Sequence, residues 1–234
     1  MCAVPLEIPS IDFQKKMVKA YRIINERIEL KRKINDNLQE QAYAIYKETI
    51  AGYDKNAMLC DVAHITMGTS PNGESFNDCG NGTVFYQGRT DFGFRYPTIH
   101  LYTTEPKRFA ENKDILMSVR APVGDINIAR EDCAIGRGLA AIKPKDDCYS
   151  YLFYTMKELD FELNKFNDEG TVFGSITKDD LFSLQIVALS SNERCSFEKK
   201  VAFIDKVIAV NEAEIQKLLE MCSILLSQII NEVV

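Results

Sequence analysis

Two apolar seams, one at each end of the chain, restrict what this sequence can become. From Ser196 to Val234, residues Phe197, Val201, Ile204, Ile208, Asn211, Ile215, Leu218, Cys222, Leu225 and Ile229 fall alternately four and three apart, the heptad rhythm of a coiled coil. A lone helix would leave that stripe in water, so it requires a partner of similar length. Between Ser10 and Ile50, residues Met17, Tyr21, Ile24, Ile28, Lys31, Asn35, Leu38, Ala42 and Ile45 keep the same rhythm, with Lys31 and Asn35 making the middle polar. The intervening chain leaves the end of the first helix and returns at the start of the second, so an intrachain pair must be antiparallel. Setting Thr49 opposite Phe197 aligns the seams and places Asn35 against Asn211. A buried pair of amides lowers stability but fixes register, and we assign Asn35 and Asn211 that role. Ile23, Leu30, Ile34, Val207, Leu219, Leu226 and Ile230 rim the seam with more apolar surface than two helices need. Such a surface suits further helices, from a second copy or another protein.

Composition removes several function classes. With 234 residues and 46% hydrophobic content, the chain can fill one large or two small cores. No apolar run approaches about eighteen residues, and the start, MCAVPLEIPS, lacks a basic flank before a long apolar stretch. A cytoplasmic chain without a membrane span is expected. Seven cysteines without a C-x-x-C pair suggest reduced, mostly buried thiols. His64 and His100 are too few and too scattered for a zinc site or a Ser-His-Asp arrangement, so no metal site is expected. Gly136-x-Gly138 lacks the third glycine of a nucleotide fingerprint and enters a strand, and no D/N-P-P-F/Y motif or glycine-rich loop for S-adenosylmethionine is present. The chain reads as non-catalytic and as carrying no cofactor of its own.

An internal repeat divides the chain. Phe13-Gln14-Lys15-Lys16-Met17-Val18 opens the first helix and Phe197-Glu198-Lys199-Lys200-Val201-Ala202 opens the second. Each follows an apolar, strand-like stretch, Val4 to Ile8 and Leu184 to Leu189. The resulting division is residues 1–9 as the terminal strand of a preceding unit that is missing, 10–50 as a long helix, 51–195 as a globular domain, and 196–234 as a second long helix. Within 51–195, glycine, proline and asparagine punctuate short alternating runs, predicting strands near His64–Met67, Thr83–Gln87, Thr98–Tyr102, Asp114–Ser118, Asp125–Ala129, Leu139–Ile142 and Leu184–Leu189. One amphipathic helix is predicted from about Tyr149 to Phe166, and a short one capped by the Thr177 hydroxyl over Lys178 to Leu181. The fold class is α+β: a domain with a bent, mostly antiparallel β-sheet plus helices, flanked by two long helices forming an antiparallel coiled coil.

Several motifs follow one another through the domain. They are Val62-Ala63-His64-Ile65-Thr66-Met67-Gly68-Thr69-Ser70-Pro71, Thr83-Val84-Phe85-Tyr86-Gln87-Gly88-Arg89, Asn112 to Asp125 with its Ser118-Val119-Arg120-Ala121-Pro122 core, Ile135-Gly136-Arg137-Gly138-Leu139-Ala140-Ala141-Ile142, and Thr171-Val172-Phe173-Gly174-Ser175-Ile176-Thr177-Lys178-Asp179-Asp180-Leu181. In this order, between two repeated helices, they resemble the DNA-specificity subunit of type I restriction-modification systems. The resemblance implies a target-recognition domain at 51–195 that reads one half of a split sequence in double-stranded DNA. It implies helices that assemble methyltransferase (modification) subunits, which use S-adenosylmethionine, and a nuclease/translocase (restriction) subunit. Members of that family carry two recognition domains, whereas this chain has one, so a homodimer is one way to supply the second. The alternative is a helical scaffold, a silent or truncated copy that binds partners but not DNA.

Charge and side-chain chemistry narrow the candidate site. A helix of about 35 residues spans roughly 50 Å, on the order of fifteen base-pair steps, a sensible ruler between half-sites. The net charge of -6 opposes strong DNA binding by the isolated chain. From Tyr86 to Lys145, however, ten Lys and Arg stand against seven Asp and Glu, while from Asp146 to Cys195 four stand against ten. Within the basic part, Gln87, Arg89, Arg120 and Arg137 lie at strand ends or beside glycine, where backbone can approach a groove. Arg pairs bidentately with guanine and Gln with adenine. Arg120 and Arg137 also fit a framework role, holding turns through carbonyls and carboxylates. Arg89, Asp91, Arg95 and Tyr96, in Gly88-Arg89-Thr90-Asp91-Phe92-Gly93-Phe94-Arg95-Tyr96, are the candidates for direct readout.

Overall fold

The computed structural model describes residues 9–168 and 174–231. The expected strand at Val4 to Ile8 and the stretch Thr171 to Phe173 lie outside them. In chain order the elements are α1 (Ile11–Ile50), β1 (Ala57–Met58), α2 (Leu59–Val62), β2 (Ala63–Met67), β3 (Phe76–Asn77), β4 (Thr83–Tyr86), β5 (Tyr102–Thr103), β6 (Phe109–Ala110), β7 (Ile115–Val119), β8 (Val123–Ile128), β9 (Cys133–Ile135), β10 (Leu139–Pro144), α3 (Tyr149–Glu158), α4 (Asp160–Asp168), α5 (Lys178–Phe182), β11 (Gln185–Ile186) and α6 (Ser191–Asn231). Two compact units form from them, one from residues 1–45 with 201–234 and the other from 46–200. No helix among the described residues is long and apolar enough to cross a membrane.

In the helical unit, α1 and α6 run antiparallel with Ile24, Ile28, Ile215, Leu218 and Cys222 buried between them and Leu225 at the edge. The middle of this seam is polar. Asn211 Nδ2 donates to Asn35 Oδ1 at 2.8 Å, and Asn35 Nδ2 donates to Glu212 Oε1 at 2.8 Å. Lys31 donates to Asn211 Oδ1 at 2.9 Å and pairs with Glu214 at 2.7 Å. These bonds supply the partners that buried amides require. The rim residues Ile23, Leu30, Ile34, Leu219 and Leu226 are exposed.

Among the described residues the globular unit holds three sheets, mostly antiparallel as expected, where a single bent sheet was expected. The four-stranded sheet, ordered β2-β10-β7-β8, is antiparallel throughout, and a two-stranded ribbon joins β1 to β11. The five-stranded sheet is ordered β3-β5-β4-β9-β6, with β4 and β9 parallel and the other pairs antiparallel. Val84, Tyr86, Ala110, Cys133 and Ile135 of the five-stranded sheet share one core with Leu116, Leu139 and Ala141 of the four-stranded one. Every residue of β7 is buried, which accounts for its unbroken apolar run.

The predicted helix at 149–166 is two helices, broken at Leu159, with Asp160 and Glu162 in the favoured acidic first turn of the second. All of Tyr151 to Met156 is buried, so α3 is a core helix. Tyr46, Tyr151, Tyr154 and Phe197 form an aromatic cluster whose ring centroids lie 5.6 to 6.4 Å apart. Glu198 Oε1 accepts the Tyr151 N–H at 2.7 Å, capping the start of α3. The described cysteines are free thiols. Cys133, Cys148 and Cys222 are buried, whereas Cys79 and Cys195 are exposed. Burial pushes the Cys133 thiol up to about 12, far from a reactive thiolate.

Candidate nucleic-acid interface

Three glycines bring the ends of separate strands to one junction. Past β2, Gly68 donates to Leu139 O at 2.9 Å and Thr69 to Ile135 O at 3.0 Å, while Gly136, in the β9–β10 turn, donates to Tyr86 O at 2.8 Å. A Cβ on Gly68 would stand 2.1 Å from Gly136 O, and one on Gly138 would stand 2.7 Å from Gln87 O. Only bare backbone fits there. Val119 N donates to Gly138 O at 2.9 Å and Arg137 N to Ser70 Oγ at 3.3 Å, tying in the end of β7 and the loop after β2. Gln87, Arg137 and Arg120 thus emerge around one knot of backbone, and all three are exposed. Burial pushes the Tyr86 phenol well above its ordinary range, so it stays neutral beneath them.

Arg89 joins the group through a short loop. Asp91 Oδ2 accepts the Gln87 N–H at 2.8 Å and the Gly88 N–H at 3.4 Å, closing the single 3-10 turn Arg89–Asp91. One oxygen of the Asp91 carboxylate thereby shapes the loop. Arg89 stands on that turn, with its Nε against Asp125 Oδ2 of β8. Asp125 is itself held by its N–H to Ser118 Oγ at 3.0 Å.

Arg95 requires a correction. It is 1% exposed and cannot reach a nucleic acid. Gly93 N donates to Tyr96 O at 3.2 Å, turning the loop back so that Arg95 points inward. Its guanidinium lies 4.5 Å from the Phe153 ring centroid and 5.6 Å from that of Tyr154, and Nη2 donates to the Tyr154 hydroxyl at 2.8 Å. Aromatic faces and a hydroxyl replace part of the water that the buried cation gave up, while its Nε is buried with no hydrogen-bond acceptor among the described residues. Asn127, 2% exposed, pins the same loop with its one side-chain amide: Oδ1 accepts the Gly93 N–H and Nδ2 donates to Gly93 O. Tyr96 is half-buried, with the Arg130 guanidinium 4.1 Å from its ring centroid.

Sequence reasoning passed over Asp125, Ser118, Asn127 and Arg130. Asp125 lay inside a quoted motif, yet nothing in its neighbours pointed to Arg89. Arg130 stands before Glu131 and Asp132, which masked it in a count of charge. Among the described residues no three His, Cys, Asp or Glu side chains are placed to hold a metal ion. The arrangement offers hydrogen-bond donors on exposed, backbone-braced side chains, a chemistry suited to reading base edges.

Comparison with known proteins decides the family. The type I restriction modification DNA specificity domain matches residues 55–221. The chain belongs to this family. A relative of this specificity-domain protein in Methanocaldococcus jannaschii, described as the MjaX specificity subunit of a type I restriction enzyme, is 40% identical over 152 residues, covering 64% of this chain and 36% of the relative. The solved HsdS subunit of Thermoanaerobacter tengcongensis is 28% identical with a TM-score of 0.60, over 95% of this chain and 59% of that one. The type I S subunit of M. genitalium shares the fold at 16% identity, with a TM-score of 0.65 over 93% of this chain and 59% of that one. The specificity-domain protein therefore spans well under two thirds of these relatives. Its mixed α+β architecture, with a long helix at either end of the chain, matches theirs.

Proposed function

We propose that this chain is a non-catalytic DNA-recognition and assembly subunit of a type I restriction-modification complex. In this reading Gln87, Arg89, Arg120 and Arg137 face the major groove of one half of a split site, with Tyr96 beside them. Asp91 and Arg95 shape that surface from within. The gathering of four exposed donor side chains on one braced junction is the observation that carries the reading, and the family supports it. The paired helices carry methyltransferase subunits, which bring S-adenosylmethionine, and a nuclease/translocase subunit joins them. The exposed apolar residues along those helices support such docking, and a second copy of the chain would supply a second reader.

The net charge of -6 favours one rival, a helical scaffold that binds partners and not DNA. Co-expression with the methyltransferase subunit of the same system, followed by purification and mapping of methylated positions, separates the two. A stable complex that methylates one bipartite sequence is expected. A stable complex that methylates without sequence preference, or not at all, would leave the scaffold standing. Sedimentation of the same material counts the copies of this chain in each particle.

A further inference from the structure

We propose that Arg89 reads a guanine and that Asp125 is the positioning residue that presents it. The inference rests on the DNA-reading function proposed above and names the base read at one position. Three features of the fold fix the pair. First, the backbone beneath Arg89 is braced by Asp91 on the Gln87 and Gly88 amides, so the side chain starts from a set point. Second, β7 and β8 pair with a bulge: Met117 faces Ile126 and Val119 faces Val123, leaving Ser118 opposite both Gly124 and Asp125. A bulge re-aims side chains, and here the Ser118 hydroxyl holds the Asp125 amide in the new direction. Third, the contact to Asp125 is made through Nε, the stem-side nitrogen of the guanidinium.

A carboxylate seated on the Nε side leaves the far edge of the guanidinium, Nη1 and Nη2, unclaimed by Asp125 on a side chain that is half exposed. Two parallel N–H groups match the adjacent O6 and N7 acceptors of guanine. Adenine sets an N6 donor beside N7, cytosine offers a donor, and thymine offers one acceptor beside a methyl group. The Arg89 and Asp125 side chains are 54% and 42% exposed as a whole, although the Asp125 Oδ2 that faces Arg89 is itself covered, so an arriving base meets the guanidinium and not the carboxylate oxygen. Asp125 also offsets the charge of Arg89. The arginine thereby contributes little to general phosphate attraction and more to discrimination between bases.

The test uses the full chain assembled with its methyltransferase subunit, on duplexes in which each guanine of the mapped half-site is replaced in turn by 7-deazaguanine, which lacks N7. Wild-type complex should lose binding by roughly tenfold or more at one guanine, the effect of a broken bidentate contact. Arg89→Ala should be indifferent to 7-deazaguanine at that position and keep the losses at all others. Asp125→Asn should reduce the loss at that position several-fold and weaken binding to the cognate duplex, while binding to a scrambled duplex does not fall. An Arg89→Ala complex that keeps the full loss at every guanine overturns the assignment of Arg89. An Asp125→Asn complex with an unchanged profile overturns the positioning role. Wild-type complex that binds cognate and scrambled duplexes alike instead removes the DNA-reading function itself, whatever the variants do. Co-purification of each variant with the methyltransferase subunit verifies folding.

Discussion

A methyl group is the smallest probe of the junction where β2, β4 and the β9–β10 turn meet. Gly68→Ala places that methyl 2.1 Å from the Gly136 carbonyl oxygen, on backbone that cannot rotate away. The expected loss is about 1 to 3 kcal/mol, as for overpacked sites, read as a lower midpoint in thermal unfolding. Selectivity should fall with it, because Arg137 sits in the turn that must shift and Gln87 follows the strand end to which that turn is hydrogen-bonded. At this scale the sequence was informative where glycine signalled close backbone. It placed Gln87, Arg89, Arg120 and Arg137 at strand ends beside such sites, and they are exposed there. It misplaced Arg95, since the sign of its burial depends on the Gly93–Tyr96 turn and on Phe153 and Tyr154, which are distant in sequence. Asp125 stayed invisible for the same reason: its partner is a side chain on another loop.

Among the elements, the long helices are the most legible because periodicity adds up over many turns. Asn35 and Asn211 could be set opposite each other from spacing alone, and they share a hydrogen bond of 2.8 Å. Asn35→Ala would strip Glu212 of one donor and Asn211 of its acceptor inside the seam, a cost of about 1 to 3 kcal/mol; urea unfolding followed by helix circular dichroism measures it. Acid should weaken the same helices. The hydrogen bond from Lys31, with Arg27 nearby, holds the Glu214 carboxyl below its ordinary range. That contribution is fully present above the ordinary carboxylate range and is lost as pH falls through the depressed value. Shorter pieces left less trace. β1, β3 and β6 have two residues each, too few for alternation to register; β5 and β11 are two-residue strands at stretches expected to be longer ones, and the break at Leu159 interrupts an apolar pattern that continues on both sides. Parallel pairing of β4 with β9 belongs to topology, which local pattern does not encode.

For the whole molecule, charge and length set the expectations. A chain at -6 should hold duplex DNA weakly by itself. Fluorescence anisotropy between 50 and 200 mM salt should give a shallow dependence for the chain alone and a steep one once methyltransferase subunits add phosphate contacts. Equal slopes would mean that this chain already makes most of those contacts. The globular unit also carries a topological signature. Its first and last residues sit on Tyr46 and Lys200, and Tyr46 and Phe197 touch at a ring separation of 5.8 Å. The chain enters and leaves this fold through neighbouring doors. The two points fall inside α1 and α6, so a stretch of gene exchanged between them as one block must bring the last turn of the first helix and the opening turns of the second along with it.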